Sequence, residues 1–588
     1  MLRKSYLLLL LAVVSIAAVP VFADELEDNW KDFLHYTAIG RYDLSQAFGQ
    51  KIIDSAPDPV ALFKLSQKTP NAYSTLERMQ AHSAELGDVS NKILKIIETG
   101  RYTLRIDPAV IRQEIKRLST TRRGEIAAQA RLKNAGEYAI PFMLDALADK
   151  SREKEFVNIA NALPKIGRDA IRPLVAAMQT TDLKVKLEII HALGKIGYGQ
   201  PLAYLKYVAE NDTSDQIRFV ALATIKNIDP VAVKLPSTEL FFQLAEAYYY
   251  HTSSLIPTPG EFANIWFWDD QQQILVRKEV SQDHFNELMA MRSCEWALRA
   301  DETTGKAIAL WIAAFFKAEA AVSDQPVYFA QGHADAMTYA TTAGPEYLHA
   351  ALERALDEKN KDVALGVVEA LAANAGEKSL LYRIGTKQPL VKALSFSDVA
   401  VMQSAAIAIA TAQPNTDFVG SSLIVENLAK AVKRSGVNDL GDELADMYAI
   451  RAVDVMHDLA LSRNPVINLY QAIAPLIDAT KTNWGLMQTK AGNVLALLES
   501  PDGQKAIAEM ALNAANSLDV RKEAFSDLAI SAKRNANLLT PKLIDSIYAI
   551  VSSKQVDPDL RSEAASAYGA LNLPSKKVKD LILDQSDK

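Results

Sequence analysis

Ile140-Pro141 … Ala146-Leu147 … Asp149, closed by Ala162-Leu163-Pro164-Lys165-Ile166-Gly167, is a phrase the chain writes twice. The second copy is Ile171-Arg172-Pro173-Leu174 … Asp182, closed by Ala192-Leu193-Gly194-Lys195-Ile196-Gly197. Gly167 and Gly197 lie 30 positions apart, and self-similarity at such a period marks an array of stacked helix pairs. Pro141 and Pro173 stand near the start of apolar runs, where a missing N–H would be unpaired anyway. Phe142, Leu144, Ala146 and Leu147 give a stripe at helical spacing. Asp149 and Asp182 fall in the polar turns that follow. A second helix carries Phe156, Ile159, Ala160 and Leu163 in one copy, and Leu187, Ile190, Leu193 and Ile196 in the next. Gly167 and Gly197 are expected to close these helices in the left-handed conformation. Each pair is too apolar to stand alone, so neighbours must stack.

These features resemble HEAT repeats of the type seen in bilin-lyase-like bacterial proteins, over residues 136–229. Those repeats have an Ile/Val-Pro-x-Leu helix, an Asp-rich turn, a Val-Arg step and an Ala-Leu-Gly-x-Ile-Gly ending. A third, looser copy has Asp212, Ile217-Arg218 and Ala221 to Ile228, without a closing glycine. The resemblance implies an all-α, HEAT-type α-solenoid, a superhelix of antiparallel helix pairs.

The 588 residues exceed what one compact core holds, and a solenoid escapes that limit because each unit touches only its neighbours. Residues 1–23 read as a signal peptide: Arg3 and Lys4, an apolar run over 7–19, then Val21-Phe22-Ala23 as a small-residue cleavage site. The run is shorter than the roughly 20 residues of a spanning helix, so no transmembrane segment is expected after cleavage. Loss of Arg3 and Lys4 leaves 62 basic against 71 acidic residues, a balance that disfavours nonspecific nucleic-acid binding. The single Cys294 excludes an intrachain disulfide and sits in an apolar helical pattern, as a buried inert thiol.

In chain order, residues 24–135 read as a helical N-terminal cap. There Gly40-Arg41-Tyr42-Asp43-Leu44-Ser45 … Phe48 resembles the second half of a tetratricopeptide unit. Residues 136–250 hold the HEAT array. Residues 251–343 form an insertion: a loop with Pro257, Pro259 and Gly260, then a β-hairpin of Ile265-Trp266-Phe267-Trp268 and Ile274-Leu275-Val276, then helices. HEAT-like pairs return over residues 344–588, where Asp519-Val520-Arg521 and Asp557-Pro558-Asp559-Leu560-Arg561 repeat 40 positions apart.

No two of the eight histidines stand three or four apart, so no helix offers a two-histidine metal face. No His-Glu dipeptide occurs, unlike the deoxyhypusine-hydroxylase-like HEAT enzymes. Phosphate-loop, dinucleotide and Gly-x-Ser-x-Gly motifs are missing. Neither catalytic residue, metal nor cofactor is expected. Two features stand out. Lys165, Lys195 and Lys226 hold equivalent places at successive second-helix ends, either as a positive ladder for a partner or as offsets to the helix dipole. Trp266, Trp268 and Tyr248 are candidates for an aromatic patch, unless both hairpin faces are covered. The expected function is an exported scaffold, periplasmic or extracellular. It would bind protein partners on its concave surface or hairpin, without catalytic activity of its own. The alternatives are a lyase or hydrolase with its site in residues 251–343, or a cell-envelope glycan binder.

Overall fold

The computed structural model describes residues 19–80, 84–258, 262–321, 329, 332–374, 376–573, 576, 579 and 582–583. Most of the expected signal lies outside the described residues; residues 19–23 begin the helix Val19–Ala38. The chain is an all-α, HEAT-type solenoid of helix pairs with one two-stranded sheet. It divides into two compact units. Unit 1 is Met1–Ser237 with Asn264–Lys278, and unit 2 is Thr238–Ala263 with Glu279–Lys588.

Unit 1 begins with packed helices whose core holds Trp30, Phe33, Leu62 and Leu76. Trp30 Nε1–H donates to Thr69 Oγ1 at 3.1 Å, and Phe48 stacks on Tyr36. The helix Arg122–Ala135 ends at Gly136, at φ +61°. Pro141 then falls in the first turn of Ile140–Ala148.

The two copies of the phrase differ at one residue with a visible consequence. In the second copy Leu183–Ile196 is one unbroken helix, N-capped by Asp182 and closed by Gly197 at φ +75°, ψ +19°. In the first copy the α-helix stops at Ala162, and a 3-10 segment, Leu163–Ala170, follows. Pro164 stands where the second copy has Gly194. It lacks the donor an α-helix needs there, and its ring crowds the carbonyl four residues back. Gly194 has a packing reason instead: a Cβ would lie 2.9 Å from Thr224 of the next second helix, Asp215–Ile228. The Asp in the inter-helix turn also joins repeats. Asp212 accepts from Ser214 N and from Lys186 Nζ at 2.7 Å.

Unit 2 stacks its second helices in order: Lys361–Asn374, Val399–Thr411, Asp442–Ser462, Gly485–Leu497, Leu518–Asn535 and Pro558–Ala570. Polar pairs tie neighbours along this layer. Lys490 pairs with Asp454. The Asn493 amide, oriented by its neighbours, donates to Asp527 Oδ1 at 2.7 Å. Burial holds the Asp527 carboxyl well above the usual carboxylate range, with Glu523 adding to the shift. Cys294 is fully buried, and burial pushes its thiol far up.

Candidate functional site

The hairpin of β1 (Phe262–Asp269) and β2 (Ile274–Ser281) is built where the alternation of large side chains requires it. It does not project. Residues Asn264–Lys278 belong to unit 1, packed on the first HEAT pair through Glu137, which is only 7% exposed. Trp266 Nε1–H donates to Glu137 Oε2 at 2.8 Å. The Asn264 amide donates to Glu137 Oε1 at 2.7 Å and to Tyr138 Oη at 2.8 Å. Arg172 completes the carboxylate at 3.3 Å, and Arg277 donates to Asn264 Oδ1 at 3.1 Å. At the tip, Gln273 Oε1 accepts from Thr181 N and Oγ1. The buried carboxylate is tolerated because both oxygens meet donors, Asn264 at Oε1 and Trp266 with Arg172 at Oε2.

This geometry corrects two candidate binding residues. Trp266 is 5% exposed and Tyr248 1%, so neither offers a surface to a partner. Trp266 is spent on Glu137, and Tyr248 packs edge-on against Phe285. Trp268 is half-buried, lining a cavity of about 50 Å³ with Leu144, Val185 and Leu275.

Lys165, Lys195 and Lys226 are all exposed, and none forms an ion pair among the described residues. They stand at equivalent positions on consecutive packed elements. On the last of these, Phe219, Leu222, Ala223 and Lys226 fall at helical spacing on one exposed face. Phe219 is 74% exposed. The face opposite carries the buried Ile217, Ala221 and Ile225.

Unit 2 contains a cluster the sequence did not suggest. Glu287, 2% exposed, presents Oε1 to His251 Nε2 at 2.5 Å and to Lys317 Nζ at 3.1 Å. Lys317 also donates to Tyr249 O at 2.7 Å. His251 sits at φ +52°, a left-handed conformation rare outside glycine. Burial works to raise the Glu287 pKa; the His251 hydrogen bond and the Lys317 charge outweigh it and hold the carboxyl below its usual range. His284, one turn away and buried, is pushed down by desolvation. Sequence signal for this cluster existed only as a charge inside the apolar run Phe285, Leu288, Met289 and Met291. For the hairpin anchor it was Asn264 sharing a strand face with Trp266.

Two open clefts lie on the layer of second helices in unit 2. One, of about 390 Å³, is lined by Glu369, Ile407, Ala408, Arg451, Asp454 and Asp458. The other, of about 440 Å³, is lined by Asp519, Glu523, Asp559 and Glu563 among others. Among the described residues no group of three or more His, Cys, Asp or Glu side chains could hold a metal ion. None of the described helices is long and apolar enough to cross a membrane.

The family model for HEAT repeats matches residues 140–226; the match does not reach the tetratricopeptide-like segment. No curated protein matches the sequence. Among solved structures the chain is similar to importin beta crystallised in an ammonium sulfate condition. The identity is 12%, over 99% of this chain and 78% of that one, at a TM-score of 0.25. It is also similar to Kap121p bound to Pho4p (13% identity, 87% and 56%, TM-score 0.26). A third likeness is to the S. pombe condensin Cnd3-Cnd2 subcomplex (11%, 87% and 73%, TM-score 0.22). The family match thus assigns HEAT repeats to residues 140–226, where the helix pairs that carry the repeated phrase lie.

Proposed function

We propose that the protein is an exported, non-catalytic scaffold that binds protein partners on its layers of second helices. The observation that carries the reading is the outward face of unit 1. There three exposed, unpaired lysines recur on consecutive packed elements, and an exposed Phe219–Leu222 stripe continues into Lys226. A contiguous exposed apolar patch marks an interaction site, and the charge around it sets the sign of the partner. The charge distribution supports it: without residues 1–23, unit 1 carries 32 Lys and Arg against 29 Asp and Glu, and unit 2 carries 30 against 42. A partner of acidic character suits the first.

The test is capture from cell-envelope extract by the chain beginning at Asp24. Changing Lys165, Lys195 and Lys226 together to Gln is expected to weaken capture several-fold and to flatten its salt dependence. Stability should stay within about 0.5 kcal/mol, as for exposed charges. A large loss of stability with capture intact would assign the lysines to helix-dipole offset instead.

Export rests on the order of basic, apolar and small residues over 1–23. Mass spectrometry of the protein recovered from fractionated cells is expected to find Asp24 at the N-terminus. Recovery of Met1 on the chain in the cytoplasmic fraction would defeat the export reading.

A second reading, an enzyme with its site in residues 251–343, draws on the convergence of Glu287, His251 and Lys317. For a glycan binder, burial removes Trp266 and Tyr248 as candidates and leaves Tyr250, 52% exposed.

A further inference from the structure

We infer that the trough over the helix Val399–Thr411 is a docking site for a lysine- or arginine-bearing segment of a partner protein. The inference rests on the scaffold reading and adds a second surface to it, of opposite charge. The helix is recessed: beside Ile407 it presents toward the cleft only small side chains, the buried Ala408 and the exposed Thr411, with Ser404 buried one turn before. So little stands up from it that Arg451, on the helix beyond, reaches across to Glu369 with two bonds of 3.1 and 3.2 Å. Ser404 donates to the same carboxylate from below at 2.7 Å. Glu369 and Arg451 both line the trough. The cleft of about 390 Å³ is at the small end of the roughly 300–1,000 Å³ typical of binding clefts.

Its chemistry selects the occupant. The floor is aliphatic, with Ala372, Ile407, Ala408 and Val455. One wall carries Asp454 and Asp458 a turn apart. Asp454 is paired with Lys490. Among the described residues Asp458 meets no lysine or arginine, only the His457 ring at 3.6 Å, and its side chain is 63% exposed. A lysine or arginine side chain matches both parts: an apolar stem for the alanine floor and a cationic head for the carboxylate. An acidic or purely apolar side chain matches only one. Unit 2 as a whole, with 30 basic against 42 acidic residues, draws cationic partners toward this layer.

The probe is a fluorescein-labelled twelve-residue peptide of repeating Lys-Ala-Ala, titrated by anisotropy against the whole chain, with repeating Glu-Ala-Ala as its counterpart. The lysine peptide is expected to bind and the glutamate peptide not. Asp458→Asn should weaken binding about tenfold. Thr411→Trp, which fills the trough from its exposed rim and leaves the charge unchanged, should weaken it at least as much. Glu499→Gln, removing one exposed charge outside the trough, should leave affinity within about twofold. Melting curves accompany each variant, so that loss of fold is told from loss of binding.

Equal weakening by Glu499→Gln and Asp458→Asn would overturn the site in favour of general charge attraction. Unchanged binding by Thr411→Trp would overturn it as well. Competition by spermidine at the peptide's own concentration would reassign the trough to free polyamines. Self-association of the unlabelled chain that Asp458→Asn abolishes would reassign it to a second copy. The lysine triple variant of unit 1 should bind the peptide normally, so failure here and failure of the acidic-partner surface remain separate results.

Discussion

Trp266→Ala is expected to destabilise unit 1 by about 3–5 kcal/mol, the range for deleting a buried large aromatic. Two losses combine. The indole is 5% exposed, so its removal leaves a cavity between β1 and the first HEAT pair. Its N–H is also one of the donors to the buried Glu137, at 2.8 Å. Hydrogen bonds to charged groups contribute about 1.5–3 kcal/mol. Trp266→Phe should separate the terms, keeping most of the apolar volume and losing only the bond, and should cost about half as much. At this size of unit, about 2–4 °C of melting temperature accompany each kcal/mol, so calorimetry should see a fall on the order of 10 °C for the alanine variant. Glu137→Gln should reproduce part of that fall, because Arg172, at 3.3 Å, would lose its counter-charge. A Trp266→Ala chain that melts with the wild type and loses only partner capture would show the indole to be a binding residue, against the packing described here.

The repeat was legible because its punctuation is chemical. Asp182 caps a helix by accepting from Lys184 N and Val185 N, and Gly197 closes it in the left-handed region; both roles follow from residue type alone. The hairpin was legible from alternation of large side chains about a polar turn. What was not legible is which face of each element is covered. Tyr248, Tyr249 and Tyr250 are consecutive on one turn, so their side chains point about 100° apart. The first two are buried and the third is 52% exposed. Only tertiary packing decides that. The same holds for Glu137 and Trp266, 129 positions apart. The first copy's broken second helix was readable from Pro164, yet the repeat pattern, which treats Pro164 and Gly194 as equivalent, concealed it.

Glu287→Gln is expected to cost unit 2 about 2–3 kcal/mol at neutral pH. Removing one partner of a fully buried pair typically costs about 3–5 kcal/mol. Here the side chains of His251 and Lys317 are 43% and 26% exposed, so water recovers part of the loss for both partners. The amide keeps the shape but not the charge, and leaves Lys317 and His251 facing each other at 3.3 Å with no carboxylate between them. The pH dependence has a definite sign. A carboxyl whose pKa in the fold lies below its unfolded value stabilises above the unfolded pKa, about 4.3 for glutamate. That contribution disappears as the pH falls through the lower folded value. The difference in stability between the wild-type chain and the variant should therefore be full at pH 6–7 and shrink below about pH 4. Burial pushes His284 down while the Glu287 charge works to raise it, so loss of that charge leaves His284 harder to protonate in the variant and its titration differs between the two proteins. The enzyme reading requires the opposite result. A carboxylate kept for chemistry, rather than for holding Lys317 and His251 in place, is removed with little cost or with a gain in stability. A melting temperature of Glu287→Gln equal to or above wild type at pH 7 would move this cluster from the packing of the chain to a site of reaction.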